Sequence, residues 1–216
     1  MTLVQPDLTG SVSKMLKHPE HVAVMQGGAK PAADAYAGMT RAKVMRATLD
    51  ALPDIVDALE IGRLRDPKET TGHSTLLIAQ HPTIARLVSI DVNPDTEAVC
   101  KAFIPERPLH KVEFVNGDAV AAIARLAAEG NSFGFIYLDG PNDAQKCLDI
   151  LIAATGVAAV GATVILDDTD YPSVAKKGIL ILPYMKAHPD GFKIIASVPR
   201  DKTCHGQTVI RILNGA

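Results

Sequence analysis

One unbroken stretch, DALEIGRLRDPKETTGHSTLLIAQHPTIARLVSIDVNP at residues 57–94, constrains the fold of this chain more than any other. A short apolar segment leads into a glycine-bearing loop, then a helix-forming segment, then a second apolar run that ends on an acid. A doubly wound sheet builds a nucleotide site in that order, with the loop admitting the ligand and the acid taking its ribose hydroxyls. The stretch departs from the dinucleotide fingerprint in two respects. The pattern G-x-G-x-x-G is absent, and Glu60 stands just before Gly62. A carboxylate repels a phosphate held in a poorly solvated turn, so the loop suits a ligand that carries positive charge.

The rest of the chain extends the alternation. Residues 1–40 are irregular and rich in small residues, and apolar positions from Val44 to Val56 then recur at helical spacing until Pro53 ends or kinks the helix. Strands are expected at 58–62, 86–91, 111–116, 133–138 and within 157–168, with helices at 74–80, 94–103, 119–129 and 144–154. Two further strands, 192–199 and 207–213, are separated only by the polar loop DKTCHG. A loop that short holds no crossover helix, so these two pair antiparallel. The expected fold is α/β: a Rossmann-like, doubly wound, seven-stranded and mostly parallel sheet closed by an antiparallel hairpin. Residues 1–56 are expected to form an N-terminal helical extension or lid, and 57–216 the ligand-binding domain.

Composition supports one core. The 216 residues are 47 % apolar, ample to bury a single domain. A formal charge of −2 and a pI near 6.4 argue against a surface built for nucleic acid. The longest apolar run, GVAAVGATVIL at 156–166, is shorter than the roughly 20 residues a membrane span needs, and it ends on Asp167 and Asp168. The N-terminus shows no basic region followed by an apolar block, so no signal peptide is expected. Cys100, Cys147 and Cys204 have no metal-type spacing and form an odd count, which fits reduced thiols in the cytoplasm.

Acids follow the apolar strands with regularity: Glu60, Asp91, Asp118, Asp139 and the pair Asp167–Asp168. The topology brings these strand ends to one edge, where such sheets bind ligands. Asp91, 19 residues beyond Gly72, is spaced to accept hydrogen bonds from ribose hydroxyls; the alternative is a helix cap. Asp118 in NGDA can meet an adenine edge, cap the helix that follows, or do both. Asp139 in IYLDG and the pair in VILDD gather three carboxylates. They either hold a hard divalent ion such as Mg²⁺ or meet ligand amines and cap helices. Bound there, an ion would lower the pKa of a substrate hydroxyl. S-adenosylmethionine, with a sulfonium and an amino group, matches the charge of this edge.

In the order LEIG, GHST, SIDVNP, NGDA, IYLDG and VILDD, the chain resembles class I S-adenosylmethionine-dependent methyltransferases. More narrowly, it resembles the small metal-dependent O-methyltransferases related to catechol O-methyltransferase, over residues 57–213. The resemblance implies Glu60, Gly62, Gly72 and Ser74 around the methionine part of the cofactor, and Asp91 with Val92 at the ribose. It implies Gly117, Asp118 and Ala119 near the adenine, and Asp139 on the sulfonium side. In metal-dependent members Asp139, Asp167 and Asp168 would hold the ion.

Two departures stand out. Nine residues, RLRDPKETT, separate Gly62 from Gly72, a longer loop than members usually carry. The catechol enzymes also place a basic lysine shortly after the first metal aspartate, where this chain has Asn142, and an asparagine where it has Asp168. Lys146 is the nearest lysine after Asp139, and His205 lies in the hairpin turn, so Asp139, Lys146 and His205 are the candidate catalytic groups. Lys176, Lys177 and Tyr171 are further candidates for the acceptor pocket, and Met39 and Arg41 for a lid. The expected activity is methyl transfer from S-adenosylmethionine to a hydroxyl of a small molecule, aided by a divalent metal, in a protein that needs neither nucleic acid nor membrane and forms a homodimer. The alternatives are metal-independent N- or O-methylation and a binding module without turnover.

Overall fold

In the computed structural model, residues 39–65, 73–169, 177–198 and 206–214 are described. The strands are β1 (Val56–Ile61), β2 (Ile84–Asp91), β3 (Val112–Asn116), β4 (Phe133–Leu138), β5 (Ala158–Leu166), β6 (Phe192–Val198) and β7 (Gln207–Ile212). The helices among the described residues are α1 (Arg41–Asp50), α2 (Ser74–Gln80), α3 (Asp95–Phe103), α4 (Glu106–Leu109), α5 (Ala119–Ala128), α6 (Ala144–Thr155) and α7 (Gly178–Ala187). None of them is long and apolar enough to cross a membrane.

The seven strands form one sheet in the order β3-β2-β1-β4-β5-β7-β6. β1 to β5 pair in parallel, while β7 runs antiparallel to both β5 and β6. Six strands therefore point one way and β7 the other. This is the expected Rossmann-like sheet with a closing hairpin.

Both faces of the sheet are covered. Leu59, Ile61, Val88, Ile90, Ile136 and Leu138 point into a core shared with α5, α6 and α7. The alternate positions Ala58, Leu87, Phe135, Tyr137 and Ile165 pack on the opposite face against α1 and α2. Strands buried on both faces read as unbroken apolar runs, which is why FGFIYL and VIL were legible. α1 stops at Asp50, three residues short of Pro53. Val44, Met45 and Leu49 of α1 are buried in the sheet core, so this part of the N-terminal segment is built into the body of the fold.

Two helices escape the sequence pattern. α4 is a single turn. α7 lies in GILILPYMKA, a nearly all-apolar segment with Pro183 inside it, so it shows neither an amphipathic period nor a clean helix signal. Topology requires a crossover there, because β6 runs in the same direction as β5.

Candidate active site

Backbone pairing continues one residue beyond the strands and lines up their ends. The Gly62 N–H donates to the Ile90 carbonyl at 2.9 Å, the Gly117 N–H to Asp91 at 2.9 Å and the Asp139 N–H to Ile61 at 2.9 Å. The Asp167 N–H donates to Leu138 at 3.0 Å. The parallel register thus sets Gly62, Asp91, Gly117, Asp139 and Asp167 along the carboxyl edge of the sheet, where ligands of such folds bind.

A cleft of about 790 Å³ opens on this edge, lined among others by Gly62, Asp91, Val92, Gly117, Asp118 and Asp139. Gly62 turns with φ of +85°, and a Cβ there would overlap the carbonyl oxygen of Asp139. Only glycine meets both demands at low cost. Gly117 also has positive φ, and a Cβ on it would meet no atom within 4 Å, so its backbone faces open space. Val92 is 78 % exposed and Val120 is 37 % exposed at the wall of this cleft. Apolar side chains left bare beside a row of carboxylates suit a ligand with a flat apolar ring and a charged or hydroxylated end.

Asp91 is held in place by the chain around it. One carboxylate oxygen accepts the Arg63 N–H at 3.0 Å, and the other accepts the Asn93 N–H at 2.8 Å. Each oxygen keeps a lone pair for a further donor. Asp118 does what its alternative reading required: it accepts the Ala121 N–H at 3.0 Å as the N-cap of α5, and it lines the cleft as well. Ala119 lines the cleft beside it.

Glu60 and Ser74 sit differently from their expected place around the methionine part of the cofactor. Side chains alternate along β1, so Glu60 points to the face covered by α2 while Ile61 meets the cleft. Glu60 is fully buried and accepts hydrogen bonds from Ser74 Oγ at 2.6 Å, Thr75 Oγ1 at 2.8 Å and Ser89 Oγ at 2.6 Å. Burial pushes its pKa up to about 7 against the opposing pull of these hydroxyls. Both residues brace the floor of the site from beneath.

The loop that follows Gly62 is anchored by Arg63, which is 4 % exposed. Its guanidinium donates to the carbonyls of Ser89 at 3.0 Å and Val115 at 2.5 Å, and lies 5.2 Å from the centre of the Phe114 ring. Burial lowers its pKa, with Asp91 pulling the other way. His73 packs its ring edge-on against Phe103 at 4.9 Å. Gly72, Tyr171, Lys176, Cys204 and His205 lie outside the described residues.

The carboxylates of Asp139, Asp167 and Asp168 converge as the sequence indicated, with one oxygen of each within 4.8 Å of the others. That spacing suits an ion, but the oxygens are engaged by the chain's own cations. Lys177 Nζ lies 2.5 Å from Asp139 Oδ1 and 3.2 Å from Asp168 Oδ2. Arg41 Nη2 lies 2.6 Å from Asp167 Oδ2 and 2.5 Å from Asp168 Oδ1. Asp167 also accepts from Tyr137 at 3.1 Å and from Gln207 at 2.9 Å. Burial, then the Asp139 charge, pushes Asp167 up to about 7 although Arg41 opposes the shift. Burial tends to strip the Lys177 proton, but Asp139 and Asp168 outweigh it and hold its pKa above the ordinary range.

The lysine that meets Asp139 is therefore Lys177, at the start of α7. Lys146 stands in the first turn of α6 on the rim of the cofactor cleft. In sequence, Lys177 and Arg41 were only loose candidates for a pocket wall and a lid. The signal that would have paired them with the acids was charge balance, since three crowded carboxylates, one of them buried, need cations from somewhere.

Residues 36–167 match the family model described as O-methyltransferase. Among curated proteins no significant match is found. Among solved structures, the chain is similar to the O-methyltransferase from Bacillus cereus in complex with SAH, at 18 % identity over 80 % of each chain, with a TM-score of 0.63. It is similar to the O-methyltransferase TomG from Streptomyces achromogenes in complex with SAM, at 19 % identity over 81 % of this chain and 80 % of that one, TM-score 0.64. Cofactor-bound Rv0187 from MTB shares 21 % identity over 99 % of this chain and 94 % of its own, TM-score 0.63. With more than half of its length matched by the family model and its strand ends arranged as a cofactor cleft, the chain belongs to the O-methyltransferase family of class I S-adenosylmethionine-dependent methyltransferases.

Proposed function

We propose that this protein transfers the methyl group of S-adenosylmethionine to a hydroxyl oxygen of a small molecule. The observation that carries the reading is the position of Asp139, which lines the cofactor cleft and at the same time belongs to the charged cluster beside it. A donor in the cleft and an acceptor at the cluster would meet at this residue. When bound, S-adenosylmethionine would supply a methyl group on a sulfonium: the S–CH₃ bond would break as the O–CH₃ bond forms, leaving a neutral thioether, and the hydroxyl proton would pass by way of the Asp139 carboxylate to water.

The chain's own residues supply orientation. Asp91, fixed by the Arg63 and Asn93 N–H groups, takes the ribose hydroxyls. Val92, Val120 and the Gly117–Ala119 turn cover the adenine. The carboxylate of Asp139 faces the positive end. Fixing both reactants in this way can remove roughly 7–11 kcal/mol of the barrier in favourable cases. The near-neutral charge of the chain, −2, supports a small acceptor over nucleic acid.

The test is calorimetry with S-adenosylhomocysteine, followed by a screen of phenolic and aliphatic hydroxyl compounds with S-adenosylmethionine, read by mass spectrometry. Cofactor binding with a product one CH₂ heavier, methylated on oxygen, is the expected result. Methylation found only on nitrogen, or tight cofactor binding with no turnover on any acceptor, would reject O-methylation.

A further inference from the structure

The Asp139–Asp167–Asp168 cluster is built as a closed salt network. Both oxygens of Asp167 accept hydrogen bonds, one from Gln207 and the other from Arg41 and Tyr137. Both oxygens of Asp168 face cations, Arg41 on one side and Lys177 on the other. Of Asp139, Oδ1 meets Lys177, and Oδ2 alone has no donor among the described residues. A six-coordinate Mg²⁺ takes oxygen ligands at about 2.1 Å and needs lone pairs aimed at one point. Here the lone pairs are aimed at an ammonium and a guanidinium.

Both cations are held by the fold. The Lys177 side chain is only 4 % exposed, and a buried ammonium is stable only while paired. The next residue, Gly178, packs so closely on Thr169 that a Cβ would overlap the Thr169 carbonyl. This approach presses the start of α7 against the end of β5 and sets Lys177 beside Asp168. Arg41 is the first residue of α1, whose Val44, Met45 and Leu49 are buried in the sheet core. Asp168 lies between the two cations with φ of 53°, a strained backbone for a residue with a side chain. Three carboxylates against two resident cations leave a formal charge of −1, and a divalent ion added to them would reverse its sign.

We propose that Lys177 and Arg41 are the built-in countercations of the acidic trio, so that the site binds no divalent metal and Lys177 presents its ammonium to the acceptor oxygen beside Asp139. The metal-free half stands on this geometry alone; the role toward the acceptor rests on the O-methylation reading above. The trio does not fit a resident Mg²⁺ unless Lys177 is expelled from a buried position.

Binding of Mn²⁺ to the full-length protein, followed by electron paramagnetic resonance with and without S-adenosylhomocysteine, tests the first half without any acceptor. No bound Mn²⁺ up to millimolar concentration is expected. Micromolar binding that Asp168→Asn abolishes would overturn the proposal. For the second half, Lys177→Met is expected to keep its affinity for S-adenosylhomocysteine within about threefold while kcat falls at least tenfold, with part of the rate restored in Lys177→Arg. An unchanged kcat in Lys177→Met removes Lys177 from the reaction. Should that variant fail to fold, Lys177→Gln, which also removes the charge but keeps a polar end, carries the same comparison, and the Mn²⁺ measurement on the unaltered chain still decides the first half. If no acceptor is ever found, the O-methylation reading fails and the Mn²⁺ result stands.

Discussion

The carbonyl oxygen of Asp139 occupies the space that any side chain on Gly62 would need. The two residues close the adjoining ends of β1 and β4, so the first turn of the cofactor loop and the residue expected at the sulfonium are in mutual contact. Gly62 also holds φ at +85°. Gly62→Ala must therefore push Asp139 away as well as adopt an unfavourable backbone. We expect a loss of about 2 kcal/mol or more in urea unfolding. Cofactor binding measured on the folded fraction should weaken too, because the displaced residue lines the cleft. Unchanged binding would show that the contact does not shape the site.

Asp91 and Asp118 both line the cleft, yet their variants should behave differently. Asp91→Ala removes the acceptor expected to hold the ribose, and charge-assisted hydrogen bonds contribute about 1.5–3 kcal/mol each. Affinity for S-adenosylhomocysteine should fall at least tenfold in calorimetry. Asp118→Ala removes the cap of α5, at about 1 kcal/mol of stability, with a smaller effect on affinity. The reverse ranking would exchange their roles.

Glu60 gives the chain a pH signature. Its folded pKa near 7 lies above the ordinary 4.5, so the folded state binds more protons between these values. Its contribution is fully present below about pH 4.5 and is lost as pH rises toward 7. Glu60→Gln should leave stability close to that of the parent at pH 4.5. It should then gain on the parent up to pH 7, by at most roughly 3 kcal/mol. Thermal melts across this range, taken as the difference between variant and parent, cancel the titration of Asp167. A constant difference would mean that Glu60 titrates alike in the folded and unfolded states.

Arg63 separates stability from binding. Its side chain holds two strand carbonyls, while its backbone N–H holds Asp91. Arg63→Met keeps the N–H and removes the guanidinium. We expect about 1–3 kcal/mol of lost stability and little change in cofactor affinity. A large loss of affinity at intact stability would place the guanidinium itself in the cofactor's reach.

Most of the sheet was legible because strands buried on both faces are written as apolar runs, and their ends were marked by acids. The bounds of β4, Phe133–Leu138, follow from its sequence for that reason. α7 was not legible, because an all-apolar segment with an internal proline carries no period to read. Asp118 carried two compatible roles, and the structure shows the cap directly. The motif around Glu60 points it at the ligand. Alternation along β1 turns it to the other face, and the serine and threonine hydroxyls that make its burial tolerable come from α2 and β2, well away in sequence.

The doubly wound sheet and the row of acids along its carboxyl edge are written in the amino-acid order. Those features follow from local periodicity and from strand ends that topology must bring together. What neutralises the acids follows instead from how the helices dock. Arg41 and Lys177 stand 126 and 9 residues from Asp167 and Asp168 respectively, on helices placed by core packing. Long-range charge pairing leaves no spacing in the chain, because it depends on where two rigid elements dock.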